Sequence, residues 1–209
     1  MARQPKPSGR KPGDKGKRMS RRVTDRRPLR QRFLIMCEGE RTEPNYFKRF
    51  RVPKEIRVKI IGQGYSTVKL VRSALRLMQG ADYDQVWCVF DRDEFPVEQF
   101  NEALRLAREN HIKVAYSNQS FEIWYLLHFD YHNTPTTRQR YKEILTDRLE
   151  TEYRKNDSDL YYRLEPLQAT AIRNAERLLQ WYAENHDPAR DDPCTTVHHL
   201  VQELNRFTL

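Results

Sequence analysis

The chain has 209 residues, 38% hydrophobic and 32% charged, with a formal net charge of +9. That length allows one ordinary domain with a real core, and with no run near the roughly 20 apolar residues of a membrane span and no apolar signal region at the N-terminus, the expectation is a soluble, cytoplasmic protein. The three cysteines, Cys37, Cys88 and Cys194, lack CxxC spacing and point to neither a disulfide framework nor a zinc site.

The positive charge is not spread evenly. Residues 1–30 hold 12 Lys or Arg against Asp14 and Asp25, a balance of +10 that leaves −1 for residues 31–209. This tail is rich in Pro, Gly and Ser, has no aromatic residue, and is expected to be disordered. Either it supplies salt-sensitive attraction to nucleic acid phosphates or it is a solubilising terminus.

From Phe33 the pattern changes. FLIMC (33–37) reads as a first strand, and TEPNYFKRF (42–50) as a helix with Thr42 as cap and Pro44 in its first turn. RVKII (57–61) is a second strand. Val68, Val71, Leu75 and Met78 then recur at helical spacing behind a Ser66 cap, and Lys69 on that helix reads as solvated. QVWCVF (85–90) is a third strand, VEQFNEALRLAREN (97–110) a helix, and IKVAY (112–116) a fourth strand. Alternation at this pitch predicts an α/β fold with a parallel sheet of about four strands and helices on both faces, over residues 31–130.

Beyond Asn118 the strand signals stop. SFEIWYLLHF (120–129) reads as a buried helix; residues 137–155, 167–185 and 195–204 read as three more, a helical region over 131–209 packed on or beside the sheet. The segment 154–166 has no clear period. His198 and His199 are adjacent rather than i, i+4, with no companion ligands, so they read as ordinary histidines.

Parallel sheets bind ligands at the C-terminal edge of their strands. Two acidic loops fall there: CEGERTE after the first strand, with Glu38, Gly39 and Glu43, and DRDE after the third, with Asp91, Arg92 and Asp93. Gathered carboxylates repel by a few kcal/mol at partial shielding, and a divalent cation reverses that sign. Mg²⁺ is the expected ion, with Mn²⁺ as substitute, because it takes oxygen ligands and needs only one or two carboxylates beside substrate phosphates. Gly39 would let the chain bend and a substrate approach. Arg92 alternates away from the aspartates and suits charge balance or a phosphate contact. Glu122 sits in a nearly apolar helix, where a carboxylate needs a partner, either the metal site or a buried Arg. Ser117, Asn118 and Ser120 either cap that helix or reach a phosphate.

A strand ending in Glu-Gly and a later one ending in Asp-x-Asp resemble the Toprim domain of topoisomerases, primases and overcoming-lysogenization-defect (OLD) nucleases. The blocks LIMCEGERTEPNYF, YDQVWCVFDRDEF, YSNQSFEIWYLLHF and DDPCTTVHHLVQEL, spanning about residues 34–204, resemble more specifically the RloB family, linked to restriction-modification loci and phage defence. The resemblance implies that Glu38 is a general acid or base or a metal ligand, and that Asp91 and Asp93 bind Mg²⁺. Glu43 resembles the further acid of OLD-type nucleases, though it equally suits the positive end of a helix. By the same resemblance the chain is expected to be a nuclease acting on DNA or RNA, tRNA among the candidates, as a toxic effector in anti-phage defence. No Walker A sequence occurs, so nucleotide-driven control would come from a partner ATPase, RloA-like or OLD-like; the oligomeric state stays open. The competing expectation is a non-catalytic Toprim-like module that binds nucleic acid or a partner.

Overall fold

The computed structural model describes residues 31–53, 56–64, 66–92, 96–157 and 159–208. Asp93 and the basic residues 1–30 lie outside the described residues. Four strands take the predicted places: β1 (Arg32–Cys37), β2 (Arg57–Gly62), β3 (Gln85–Asp91) and β4 (Lys113–Asn118). Between them run α1 (Thr42–Phe47), α2 (Thr67–Gln79) and α3 (Val97–Glu109). A fifth, two-residue strand, β5 (Cys194–Thr195), pairs antiparallel with the end of β4. The sheet order is β2-β1-β3-β4-β5, with β1 to β4 all parallel.

Alternation along the strands explains both covered faces. Phe33, Ile35 and Cys37 of β1 and Trp87 and Val89 of β3 point to one side, while Leu34, Met36, Val86, Cys88 and Phe90 point to the other. The second side is closed by α2 and α3 through Leu70, Val71, Phe100 and Ala103. On the first side α1 is joined by α4 (Glu122–Leu126), α5 (Arg138–Leu149), α6 (Leu160–Leu164), α7 (Gln168–Tyr182) and α8 (Val197–Asn205). The helices after residue 131 thus share one core with the sheet, and each fully buried large apolar side chain there contributes roughly 1.5–3 kcal/mol. Among the described residues no helix is long and apolar enough to cross a membrane.

Several boundaries differ from expectation. Thr42 is the first residue of α1 rather than its cap, which is Arg41 without a side-chain hydrogen bond, and the helix stops at Phe47. Ser66 does stand at the N-cap of α2, yet its hydroxyl makes no capping bond. The buried helix predicted over 120–129 is regular only over five residues, with turns on either side. The helix expected to run to Lys155 ends at Leu149, because Glu150 turns left-handed at φ 54°. The chain then folds back, with the Tyr153 amide donating to Thr146 Oγ1 at 3.0 Å. The unassigned segment holds α6 and a 3-10 turn at Glu165–Leu167.

One aromatic knot locks the elements that matter below. The Tyr46 ring of α1 meets Phe121 at 5.9 Å, Trp124 at 6.4 Å and Tyr125 at 5.8 Å around α4, and Tyr161 of α6 at 5.3 Å. Edge-on contacts of this kind add about 0.5–1.5 kcal/mol each beyond area burial. They hold Glu43 on α1 and Glu122 on α4 in fixed relation.

Candidate active site

At the C-terminal edge of β1 and β3 a cleft of about 290 Å³ opens between the sheet, α1, the start of α2, α4, α5 and the chain after α5. Four carboxylates line it, Glu38, Glu43, Asp91 and Glu122, together with two cations, Arg138 and Lys155. Because β1 and β3 are neighbours in the sheet, the residues that follow them are neighbours too. The Glu38 amide continues the ladder to the Val89 carbonyl at 2.9 Å, and its carboxylate Oε2 accepts from the Asp91 amide at 3.1 Å. Glu38 and Asp91 are therefore brought together.

Asp91, the last residue of β3, keeps 16% side-chain exposure and meets Arg138 Nη2 at 3.5 Å. Its carboxyl is nonetheless held well above the usual range, first by burial and then by the charges of Glu43 and Glu122; Arg138 pulls it down and Glu38 pushes it up again. Glu43 is buried on α1 and is also raised, chiefly by burial. Its own backbone N–H opposes that rise, Glu122 adds to it, and the Gly39 N–H and Lys155 lower it. Gly39 is present for space: a Cβ there would lie 2.1 Å from Glu43 Oε2. Gly64, which sits at φ 62° and donates its N–H to the Glu38 carbonyl at 2.8 Å, is present for conformation.

Glu122 is almost fully buried, as its apolar surroundings suggested, and its partners are Tyr153, whose hydroxyl donates to Oε1 at 3.2 Å, and Lys155 at 3.3 Å. Both partners come from the stretch that the helical pattern predicts as a continuation of α5.

Other predicted residues are elsewhere. Arg92 turns away from the cleft, donating from Nε to the Ala189 carbonyl at 2.9 Å with its guanidinium 5.8 Å from the Phe100 ring centre. The expected capping by Ser117, Asn118 and Ser120 is not made, since α4 has no side-chain cap. Ser117 and Asn118 are consumed by β4 and its contacts: the Ser117 hydroxyl bonds Thr195 Oγ1 at 3.0 Å and the Asn118 amide donates to the Asp191 carbonyl at 2.7 Å. The Ser120 hydroxyl is buried without a partner and does not line the cleft.

Sequence reading missed Arg138 and Lys155. A faint signal existed for the first: Arg138 opens α5, where the helix dipole disfavours positive charge. For Lys155 there was none, because its loop has no period.

Among the described residues no group of three or more His, Cys, Asp or Glu is arranged to hold a metal ion. The donors that could serve one are therefore Glu38 and Asp91, with Glu43 and Glu122 behind them, all hard oxygens.

The sequence pattern of the RloB-like protein family matches residues 33–204, which include every cleft residue named above, and the chain belongs to that family. No curated protein and no solved structure matches it.

Proposed function

We propose that this RloB-like protein is a metal-dependent phosphodiesterase that cuts nucleic acid as the effector of a defence system. The observation that carries this reading is the 3.1 Å contact between the Glu38 carboxylate and the Asp91 amide at the mouth of two adjacent parallel strands. Two acidic residues from separate loops, Glu38 and Asp91, meet in that contact, which supports the reading of a Toprim-like centre.

The donor set suits Mg²⁺ or Mn²⁺. All four cleft carboxylates are oxygen donors, and Asp91 is under-neutralised where it stands. Since no three converge among the described residues, an ion here would take one or two of them, Asp91 and Glu38 first, and fill its sphere with water and phosphate oxygens, as Mg²⁺ commonly does. Such an ion supplies charge stabilisation at the phosphate and eases ionisation of water. The chain's own part is acid–base. Glu38 accepts the proton of the attacking water as its oxygen bonds to phosphorus; the bond from phosphorus to the leaving oxygen breaks, and that oxygen is protonated from solvent.

A second reading has one observation in its favour, the lack of a three-acid group among the described residues: a binding module on the same scaffold. The two separate in one assay. Purified protein is incubated with mixed DNA and RNA in Mg²⁺, Mn²⁺ or EDTA, and the cut ends are sequenced. Glu38→Gln and Asp91→Asn are expected to lower cleavage by about 10²–10⁴-fold, the range of a lost acid–base group. Full activity in both variants would refute the enzyme. Control by a separate RloA-like or OLD-like ATPase belongs to the same proposal, and co-expression with such a partner is the arm that tests it.

A further inference from the structure

The cleft is two-signed. Besides its acids it holds Arg138, at the start of α5, and Lys155, in the loop after α5, and both lie outside the strand-and-helix unit that supplies Glu38 and Asp91. Arg138 meets Asp91 at 3.5 Å and Lys155 meets Glu122 at 3.3 Å. Their side chains are 39% and 48% exposed. The acids they meet are 2% exposed for Glu122 and 16% for Asp91, so each cation serves a buried acid while part of its own side chain faces the water of the cleft. Glu122 also has the Tyr153 hydroxyl.

Resting on the metal-dependent reading above, we infer that Arg138 and Lys155 are the phosphate-binding residues of this cleft, lent by the helical region. A divalent ion, if bound, would be held by Asp91 and Glu38 and would supply positive charge beside the Arg138 guanidinium. The exposed donors of both cations would face the anion that such an ion brings with it. A planar guanidinium can grip two phosphate oxygens and an ammonium one more, so the ligand class is an anion, the phosphodiester of the reading above, rather than a neutral sugar. On this view the C-terminal helices are part of the active centre, and the site is incomplete in the strand-and-helix unit alone.

The inference predicts opposite effects on two ligands of one site. In the full-length protein, Arg138→Gln and Lys155→Gln remove a positive charge beside the ion, so each is expected to bind Mn²⁺, followed by electron paramagnetic resonance, at least about twofold more tightly. Phosphodiester binding goes the other way. Protein-bound Mn²⁺ speeds ³¹P relaxation of dimethyl phosphate only when the diester sits beside it, which excludes binding to the basic tail. Half-saturation is expected to need about five- to tenfold more dimethyl phosphate in each variant; Lys155→Arg is expected to restore most of the loss and Arg138→Lys, which keeps the charge but not the two-oxygen grip, part of it. Unchanged diester affinity at equal Mn²⁺ occupancy overturns the inference and leaves the metal site standing. Charge-preserving variants as impaired as the Gln variants also overturn it, by pointing to a structural role, with circular dichroism checking the fold. Wild-type protein that binds no Mn²⁺ defeats the metal-dependent reading itself, and this inference with it.

Discussion

Gly39→Ala tests the geometry of the acidic floor directly. An added Cβ would lie 2.1 Å from Glu43 Oε2 and 2.9 Å from Glu43 Cδ, far inside contact distance. The backbone itself is not the obstacle, because Gly39 does not occupy the positive-φ region. Glu43 must therefore swing away from a place where the Gly39 and Glu43 amides hold its carboxylate and only 5% of the residue is exposed. Losing those donors, partly regained from water in the cleft, costs about 1–3 kcal/mol. If that displacement is the whole cause, removing Glu43 first removes the cost. In a double-mutant cycle followed by urea unfolding, Gly39→Ala is expected to cost about 1–3 kcal/mol in the wild type and less than about 0.5 kcal/mol in Glu43→Ala. It turns slightly stabilising there if the stiffer unfolded chain dominates. Gly62→Ala is the control: its Cβ would meet the Gly39 carbonyl at 2.6 Å and Glu40 Cα at 2.8 Å, which are backbone atoms that Glu43→Ala cannot move. Equal costs for Gly39→Ala in both backgrounds would refute the placement of Glu43.

The raised Asp91 carboxyl gives a pH signature. It keeps its proton in the folded chain at pH values where the unfolded chain has lost it, so its contribution to stability in EDTA grows as pH falls from neutral through the folded pKa and levels off near about 3.9, the unfolded value. Thermal unfolding of wild type against Asp91→Asn across that window reads it, Mg²⁺ should flatten it, and a wild-type advantage that shrinks on acidification would contradict it. The thiols are expected to be silent: burial pushes Cys88 and Cys194 up to about 12 and Cys37 well above its ordinary value, so none should react with DTNB at pH 8 before urea unfolds the chain. One thiol reacting fast in the native protein would show that a buried strand is open.

The strands, and the placing of both acidic loops at their C-terminal edge, were legible because alternation is local. Alternation marks β1 and β3, and parallel neighbours necessarily bring Glu38 and Asp91 together. What escaped has tertiary causes. β5 is two residues long and exists only because the Ser117 and Asn118 backbone is there to pair with it. The end of α5 rests on a glutamate at positive φ, which composition does not mark, and on Tyr153 returning to Thr146 and Glu122. That one misjudged boundary also hid Lys155. The direction of Glu43, undetermined by its spacing from Glu38, is settled by the absent side chain of Gly39, a contact between residues whose meeting depends on how the turn before α1 closes.

The cleft acids are not equivalent, and the difference locates the chemistry. Glu122 has a hydroxyl and an ammonium within 3.3 Å, so a buried carboxylate there is accounted for by its partners. Glu43 has two backbone donors. Asp91 is in another position: a half-exposed guanidinium at 3.5 Å does not outweigh burial and three neighbouring carboxylates, and the net direction of its shift stays upward. Stability alone would favour an asparagine or an apolar residue at the end of β3, where the arrangement as built becomes favourable only when a further positive charge arrives. A carboxylate kept against its surroundings, on a residue whose backbone N–H donates to Glu38 and which lines a cleft, is where a cation and then a phosphate would do most to lower the free energy.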